Sequence, residues 1–278
     1  GLFVADVCCY YGDHVPNFAQ LKQSDPARVL PGYDYDVATE EVVLNRMEVR
    51  DGQIVLPDGM SYRLLALPNR TNISLPVLRK VEQLVQAGAT VLGPKPHRAT
   101  GLEGDPHSDA EVRGIAEQLW GACEGESVTE HAFGRGRVIW GRTARDVLAA
   151  DGLPPDAEFL VEVDGQPQPA SAIDYIHRRS EQSDIYFLSN QGPTPAHIHA
   201  VFRVAARRPE LWDPVSGTIR DALAFTPLEN RTAVPVTLPP YGSLFVVFRV
   251  AGDVSRQVTH ATNAFVLTTV SELAGPWQ

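Results

Sequence analysis

Carboxylates set between aromatic rings are the first chemistry the sequence offers. Tyr33-Asp34-Tyr35-Asp36 is followed closely by Glu40-Glu41, the densest acidic cluster in the chain. Cleaving a glycosidic bond takes two carboxyl groups, one as acid and one as base or nucleophile. Flat rings beside them offer an apolar surface for a sugar to lie on. Tyr33, Asp34, Asp36 and Glu40 are therefore the candidate substrate-binding residues. An acidic loop running into a helix has the same composition, because carboxylates in a first turn favour the positive end of the helix dipole. On the residues alone both readings stay open.

Other groups offer less. His197-x-His199 would place two imidazoles on one face of a strand, but two ligands with no nearby Cys or third His make a weak metal site. His97 and His107 fall in a Pro/Gly-rich loop with Asp105 and Asp109 and take no role. Cys8 and Cys9 are adjacent, so on a strand they point to opposite faces and read as buried structural thiols. Three cysteines make no disulfide framework. No metal and no cofactor is expected. Neither a Gly-x-Gly-x-x-Gly nor a Gly-x-x-x-x-Gly-Lys string is present to cradle phosphate, and no Gly-x-Ser-x-Gly elbow is present for a nucleophile. Asn69, Asn72 and Asn230 begin Asn-x-Ser/Thr strings, which matter only in a eukaryotic secretory context.

The elements that would position these groups change character along the chain. Phe3–Tyr10 reads as a buried strand ending at a turn, Tyr11-Gly12-Asp13. A long loop with Pro16, Pro26 and Pro31 leads to a helix over Glu40–Met47, with Thr39 placed to cap it. Asp51-Gly52 between alternating residues predicts a hairpin. Strands are expected at Tyr62–Leu67, Ala89–Leu92 and Arg137–Trp140. Helices are expected from Pro76 to Gly88, from Ser108 to Trp120 and over Asp146–Ala150. Strands separated by helices imply crossovers and a doubly wound parallel sheet. After Pro154-Pro155 the pattern becomes six short strands, from Glu158–Val163 to Leu244–Val250, with turn residues between them. An antiparallel β-sandwich is expected there. The expected divisions are 1–154, 155–250 and 251–278, the last carrying one more strand at Ala264–Val270.

Composition excludes several partners. Of 278 residues, 24 are Lys or Arg and 34 are Asp or Glu, a formal charge of −10. Nucleic-acid binding rests on a continuous basic face, which short pairs such as Arg178-Arg179 and Arg207-Arg208 do not make. Apolar runs such as Leu244–Phe248 are far shorter than the roughly 20 residues of a membrane span. No nucleic-acid and no membrane partner is expected.

Longer strings carry a family resemblance. Pro31–Asp36, Glu40–Met47, Asp51–Leu65, Leu75–Lys80, Ala87–Pro96 and Gly136–Gly141 resemble family 106 glycoside hydrolases, the α-L-rhamnosidase family, in the region after the catalytic barrel. Asp174–Arg179, Glu210–Gly217 and Pro240–Phe248 continue the likeness. The resemblance implies a flavodoxin-like domain, similar to glutamine amidotransferase domains, followed by a β-sandwich. It further implies that the catalytic acid and base lie in a barrel outside these residues. This stretch would then pack on that barrel and meet carbohydrate only through the full-length enzyme. Where relatives often carry Asn before the Glu pair, this chain has Ala38-Thr39. An opening without Met and a terminal Trp277 fit a piece of a longer chain. The alternative is a carbohydrate-binding or assembly module, with Tyr175, Tyr186, Trp212 and Tyr241 as the rings that could stack on sugar.

Overall fold

The computed structural model describes residues 1–14, 21–101, 107–249 and 262–263. The loop residue Pro16, Asp105, the expected strand at 264–270 and Trp277 lie outside them. The chain divides into two compact units. One takes Gly1–Glu158 together with His177–Glu181, and the other takes Phe159–Ile176 and the chain from Gln182 onward.

The first unit is built on a six-stranded sheet. Its strands are β1 (Val7–Tyr10), β2 (Tyr35–Ala38), β3 (Leu64–Ala66), β4 (Thr90–Leu92), β5 (Glu130–Phe133) and β6 (Gly136–Ile139), in the spatial order β5-β6-β4-β3-β1-β2. Every pairing from β2 to β6 is parallel, and β5 joins the far edge antiparallel. Helices α1 (Glu40–Arg46), α2 (Leu75–Ala87) and α3 (His107–Trp120) lie in the connections between them, and α4 (Ala144–Ala150) follows β6.

The strands are apolar on both faces because both faces are covered. Cys8, Tyr10, Leu65 and Val91 pack with Val43 of α1, Val81 of α2 and Leu119 of α3. Val7, Cys9, Leu64 and Leu92 pack instead with Val147 and Leu148 of α4 and with Val29, Tyr33 and Tyr35. Successive strand residues thus alternate between two cores, as the pleat requires. In α2 the residues Val77, Leu78, Val81, Leu84 and Val85 are all buried, at helical spacing.

Local signals account for most boundaries. Asp51 and Gly52 both take positive φ, 52° and 75°, and join Glu48–Arg50 to Gln53–Val55 as the expected hairpin. Thr39 sits at the N-cap of α1, yet its side chain makes no capping hydrogen bond. The full capping box is at α4, where Thr143 and Asp146 bond reciprocally. β5 was not expected from sequence, because Glu130-His131-Ala132-Phe133 carries no buried residue.

In the second unit, β7 (Ala157–Val163), β8 (Gln166–Pro169), β11 (Ala196–Phe202), β14 (Thr226–Pro227) and β15 (Thr232–Leu238) form one sheet, ordered β8-β7-β11-β15-β14. β9 (Ile173–Arg179, of which His177–Arg179 groups with the first unit), β10 (Ser183–Asn190), β12 (Pro209–Trp212), β13 (Ile219–Asp221) and β16 (Ser243–Arg249) form another, ordered β9-β10-β16-β12-β13. β8, β12, β13 and β14 were not expected, because their short, polar or Pro-containing strings alternate weakly. Rings from both sheets meet: Tyr186 and Phe202 lie 4.6 Å apart, Phe202 and Phe248 5.4 Å, and Phe159 and Tyr175 5.6 Å.

The division between units falls a few residues past the expected one, and His177–Glu181 groups with the first unit for visible reasons. Leu2-Phe3 pairs antiparallel with Arg179 and Arg178, and Val4 donates its N–H to the His177 carbonyl at 3.0 Å. The His177 ring, fully buried, lies 3.0 Å from the buried Asp156 carboxylate.

Candidate functional site

Each of the four candidate side chains is held by a partner that its own neighbourhood in sequence does not reveal. Tyr33 is buried and donates its hydroxyl to the Leu153 carbonyl at 2.6 Å. Asp34 is buried, meets the Lys22 ammonium at 3.1 Å and accepts the Tyr35 N–H. Asp36, half-buried in β2, accepts the Tyr62 hydroxyl at 2.8 Å and the Val37 N–H at 2.8 Å. Glu40, the first residue of α1, accepts the Ser74 hydroxyl at 2.7 Å. The three carboxylates therefore have three different side-chain partners and do not converge on one donor.

Electrostatics fix those roles. Burial, and after it the Asp36 charge, push the Tyr62 phenol well above its usual range, so it stays protonated and donates. Ser74 ends the connection before α2 and turns its hydroxyl to Glu40 rather than capping its own helix. Lys22, Tyr62 and Ser74 were missed from sequence. Lys22 lies in the connection from β1 to β2, and Tyr62 and Ser74 lie on either side of β3, which pairs with β1 opposite β2.

The sheet adds a cleft of its own. β1 is flanked by β2 and β3, and the chain leaves it in opposite directions, so the order reverses there. Open parallel sheets hold ligands at the carboxyl ends of strands at such a reversal. A cleft of about 80 Å³ lies there, lined by Cys9, Tyr10, Tyr11, His14, Tyr35 and Val37 among others. Burial first, and then Asp25 and Asp36, push the Cys9 thiol up to about 12, so it is no thiolate nucleophile.

The remaining expected groups scatter. His97 Nδ1 lies 3.0 Å from the Thr71 carbonyl, Asp109 accepts the Ala99 N–H, and His197 Nδ1 lies 3.1 Å from the Thr237 hydroxyl. Among the described residues no three His, Cys, Asp or Glu side chains are grouped to hold a metal. Tyr175 and Tyr186 are buried in the second unit, while Trp212 has the Arg249 guanidinium 5.2 Å over its ring. Tyr241 is the exposed ring of that set.

The same fold recurs in proteins that cleave sugars. Isoenzyme 2 of α-L-fucosidase from Paenibacillus thiaminolyticus aligns with 90% of this chain and 49% of its own, at a TM-score of 0.52 and 11% identity, a likeness of fold alone. A rhamnosidase from Novosphingobium sp. PP1Y aligns with 99% of this chain and 24% of its own, at a TM-score of 0.76 and 28% identity. Among curated proteins, "Putative beta-glucuronidase" of Formosa agariphila is 32% identical over 262 residues, 94% of this chain and 20% of that protein. Residues 1–226 match the α-L-rhamnosidase family, glycoside hydrolase family 106, and the chain belongs to that family. It spans about a fifth of the curated relative's length and about a quarter of the rhamnosidase's.

Proposed function

We propose that these residues are an accessory region of a rhamnosidase-like glycoside hydrolase. They brace a catalytic barrel that supplies the acid and base, and they lend the stretch Tyr33–Glu40, which the sequence reads as a loop but which forms β2 and the start of α1, to the rim of its carbohydrate site. The observation that carries this reading is the state of the carboxylates. Asp34, Asp36 and Glu40 are each committed to a separate partner, Lys22, Tyr62 and Ser74. Glycoside hydrolysis needs two carboxyls facing each other across an open gap of about 5–10 Å. Family membership, with coverage of only a quarter or less of the two relatives, supports a region that works inside a longer protein.

The architecture belongs to the same proposal. The first unit reads as a doubly wound, flavodoxin-like domain, supported by its parallel strands and by core packing on both faces of the sheet. The second reads as an antiparallel β-sandwich, supported by two sheets whose rings meet. The proposed division between these two domains lies near residue 155. The formal charge of −10 argues for no nucleic-acid partner. Among the described residues no helix is long and apolar enough to cross a membrane.

The test is release of the aryl group from an aryl α-L-rhamnoside by the purified 278-residue chain. None is expected. Release that Asp36→Ala abolishes would overturn the proposal.

A further inference from the structure

At the carboxyl end of β1, three buried polar atoms have no hydrogen-bond partner among the described residues: the Tyr10 hydroxyl, Asp13 Oδ2 and His14 Nδ1. Tyr10 as a whole is 3% exposed. Leaving one such group unpaired costs about 1–3 kcal/mol, and folded proteins keep that cost where water, an ion or a ligand completes the bonding. Here three fall within five residues. Tyr10 and His14 also line the cleft at the point where the strand order reverses, beside Pro26, Val37, Leu67 and Pro68.

The chemistry of the three atoms narrows the ligand. Burial, then Asp13, then Glu40 push the Tyr10 phenol up, so it stays protonated and can donate. Asp13 Oδ2 accepts, and His14 Nδ1 takes either role with its tautomer. Among the described residues no Lys or Arg lines the cleft, and carboxylates stand close to Tyr10, so phosphate and carboxylate ligands are repelled. Among the described residues no group of three ligands is set for a metal ion. What remains is a neutral group that accepts from one hydroxyl and donates to a carboxylate, with a carbon face for the Pro, Val and Leu walls. A cleft of about 80 Å³ has room for a few water-sized groups, the size of a pair of neighbouring hydroxyls rather than a whole ring.

We propose that Tyr10, Asp13 and His14 form a binding site for a neutral, hydroxyl-rich ligand, which presents a vicinal diol to the carboxyl edge of β1. The site belongs to this chain itself and goes beyond the accessory reading, on which it does not depend.

The test is calorimetry on the 278-residue chain with a panel of neutral methyl pyranosides, an acyclic alditol, glucuronate and inorganic phosphate. A neutral diol is expected to bind saturably. Tyr10→Phe and Asp13→Asn should each weaken that binding at least tenfold. Binding of pyranosides alone identifies a sugar as the source, and equal binding of the alditol identifies a polyol. Tyr10→Phe should also raise the melting temperature of the ligand-free chain, because it deletes an unpaired buried hydroxyl. No binding of any neutral diol up to about 100 mM, far weaker than a millimolar complex, would overturn the proposal. So would tighter binding of phosphate or glucuronate, or a lower melting temperature for Tyr10→Phe. None of these results bears on aryl rhamnoside release, so the two proposals fail separately.

Discussion

At the scale of single residues, environment outweighs type. Cys8 and Cys9 read in sequence as buried structural thiols, and Cys8, Cys9 and Cys123 are all buried and form no disulfide. Burial is the leading cause that raises all three, with the Asp36 charge adding to it at Cys8 and Cys9. A thiol reagent at pH 8 should therefore modify none of them in the folded chain and all three in denaturant, counted by mass spectrometry. Modification of Cys8 or Cys9 in the folded chain would mean that β1 opens. Glu124 shows the opposite case. Its carboxylate accepts the N–H groups of Val128, Ser127 and Glu126 and the Ser127 hydroxyl, and these bonds, that from Val128 foremost, hold its pKa below the usual value. A depressed carboxyl stabilises the fold above its unfolded pKa and loses that contribution as pH falls through the folded value. Its carbon resonance should titrate below the ordinary glutamate range, and Glu124→Gln should flatten the acid limb of the stability profile.

At the scale of elements, caps and close backbone approaches decide stability. Thr143→Ala removes the hydroxyl that caps α4 and should cost about 1 kcal/mol in urea unfolding. Two glycines predict changes of opposite sign. Gly114 sits in the interior of α3, and a Cβ there meets nothing within 4 Å, so Gly114→Ala should stabilise by about 0.5–1 kcal/mol. A Cβ on Gly136 would lie 2.2 Å from the Ala89 carbonyl oxygen. Gly136→Ala should therefore destabilise, by forcing β6 away from the backbone that leads into β4. Equal effects of the two substitutions in the same unfolding assay would contradict this account.

At the scale of the whole molecule, the first unit is closed by residues far apart in the chain. Asp156 and His177 form a buried pair that ties His177–Glu181 to the unit ending at Glu158. Removing one partner breaks a hydrogen bond between buried groups, which typically costs about 1–3 kcal/mol. His177→Ala and Asp156→Ala should each lower the unfolding free energy by that order, and the double substitution should cost far less than their sum. Additive losses would show that the two side chains act independently.

The family was legible in the residues, because long ordered strings such as Asp51–Leu65 carry it without any knowledge of the fold. So were α2, the Asp51-Gly52 hairpin and the opposed faces of Cys8 and Cys9, since periods of 3.6 and 2 and turn chemistry act over a few residues. The acidic string Tyr33–Glu40 was visible as well. What that string touches was not: Tyr62 and Ser74, on either side of β3, come near it where β2 and β3 both lie against β1, and strand order is a long-range choice that no local period encodes. The same holds for Tyr10, Asp13 and His14, which in sequence are an ordinary strand end and turn. Their lack of partners exists only once the packed sheet has excluded water from them.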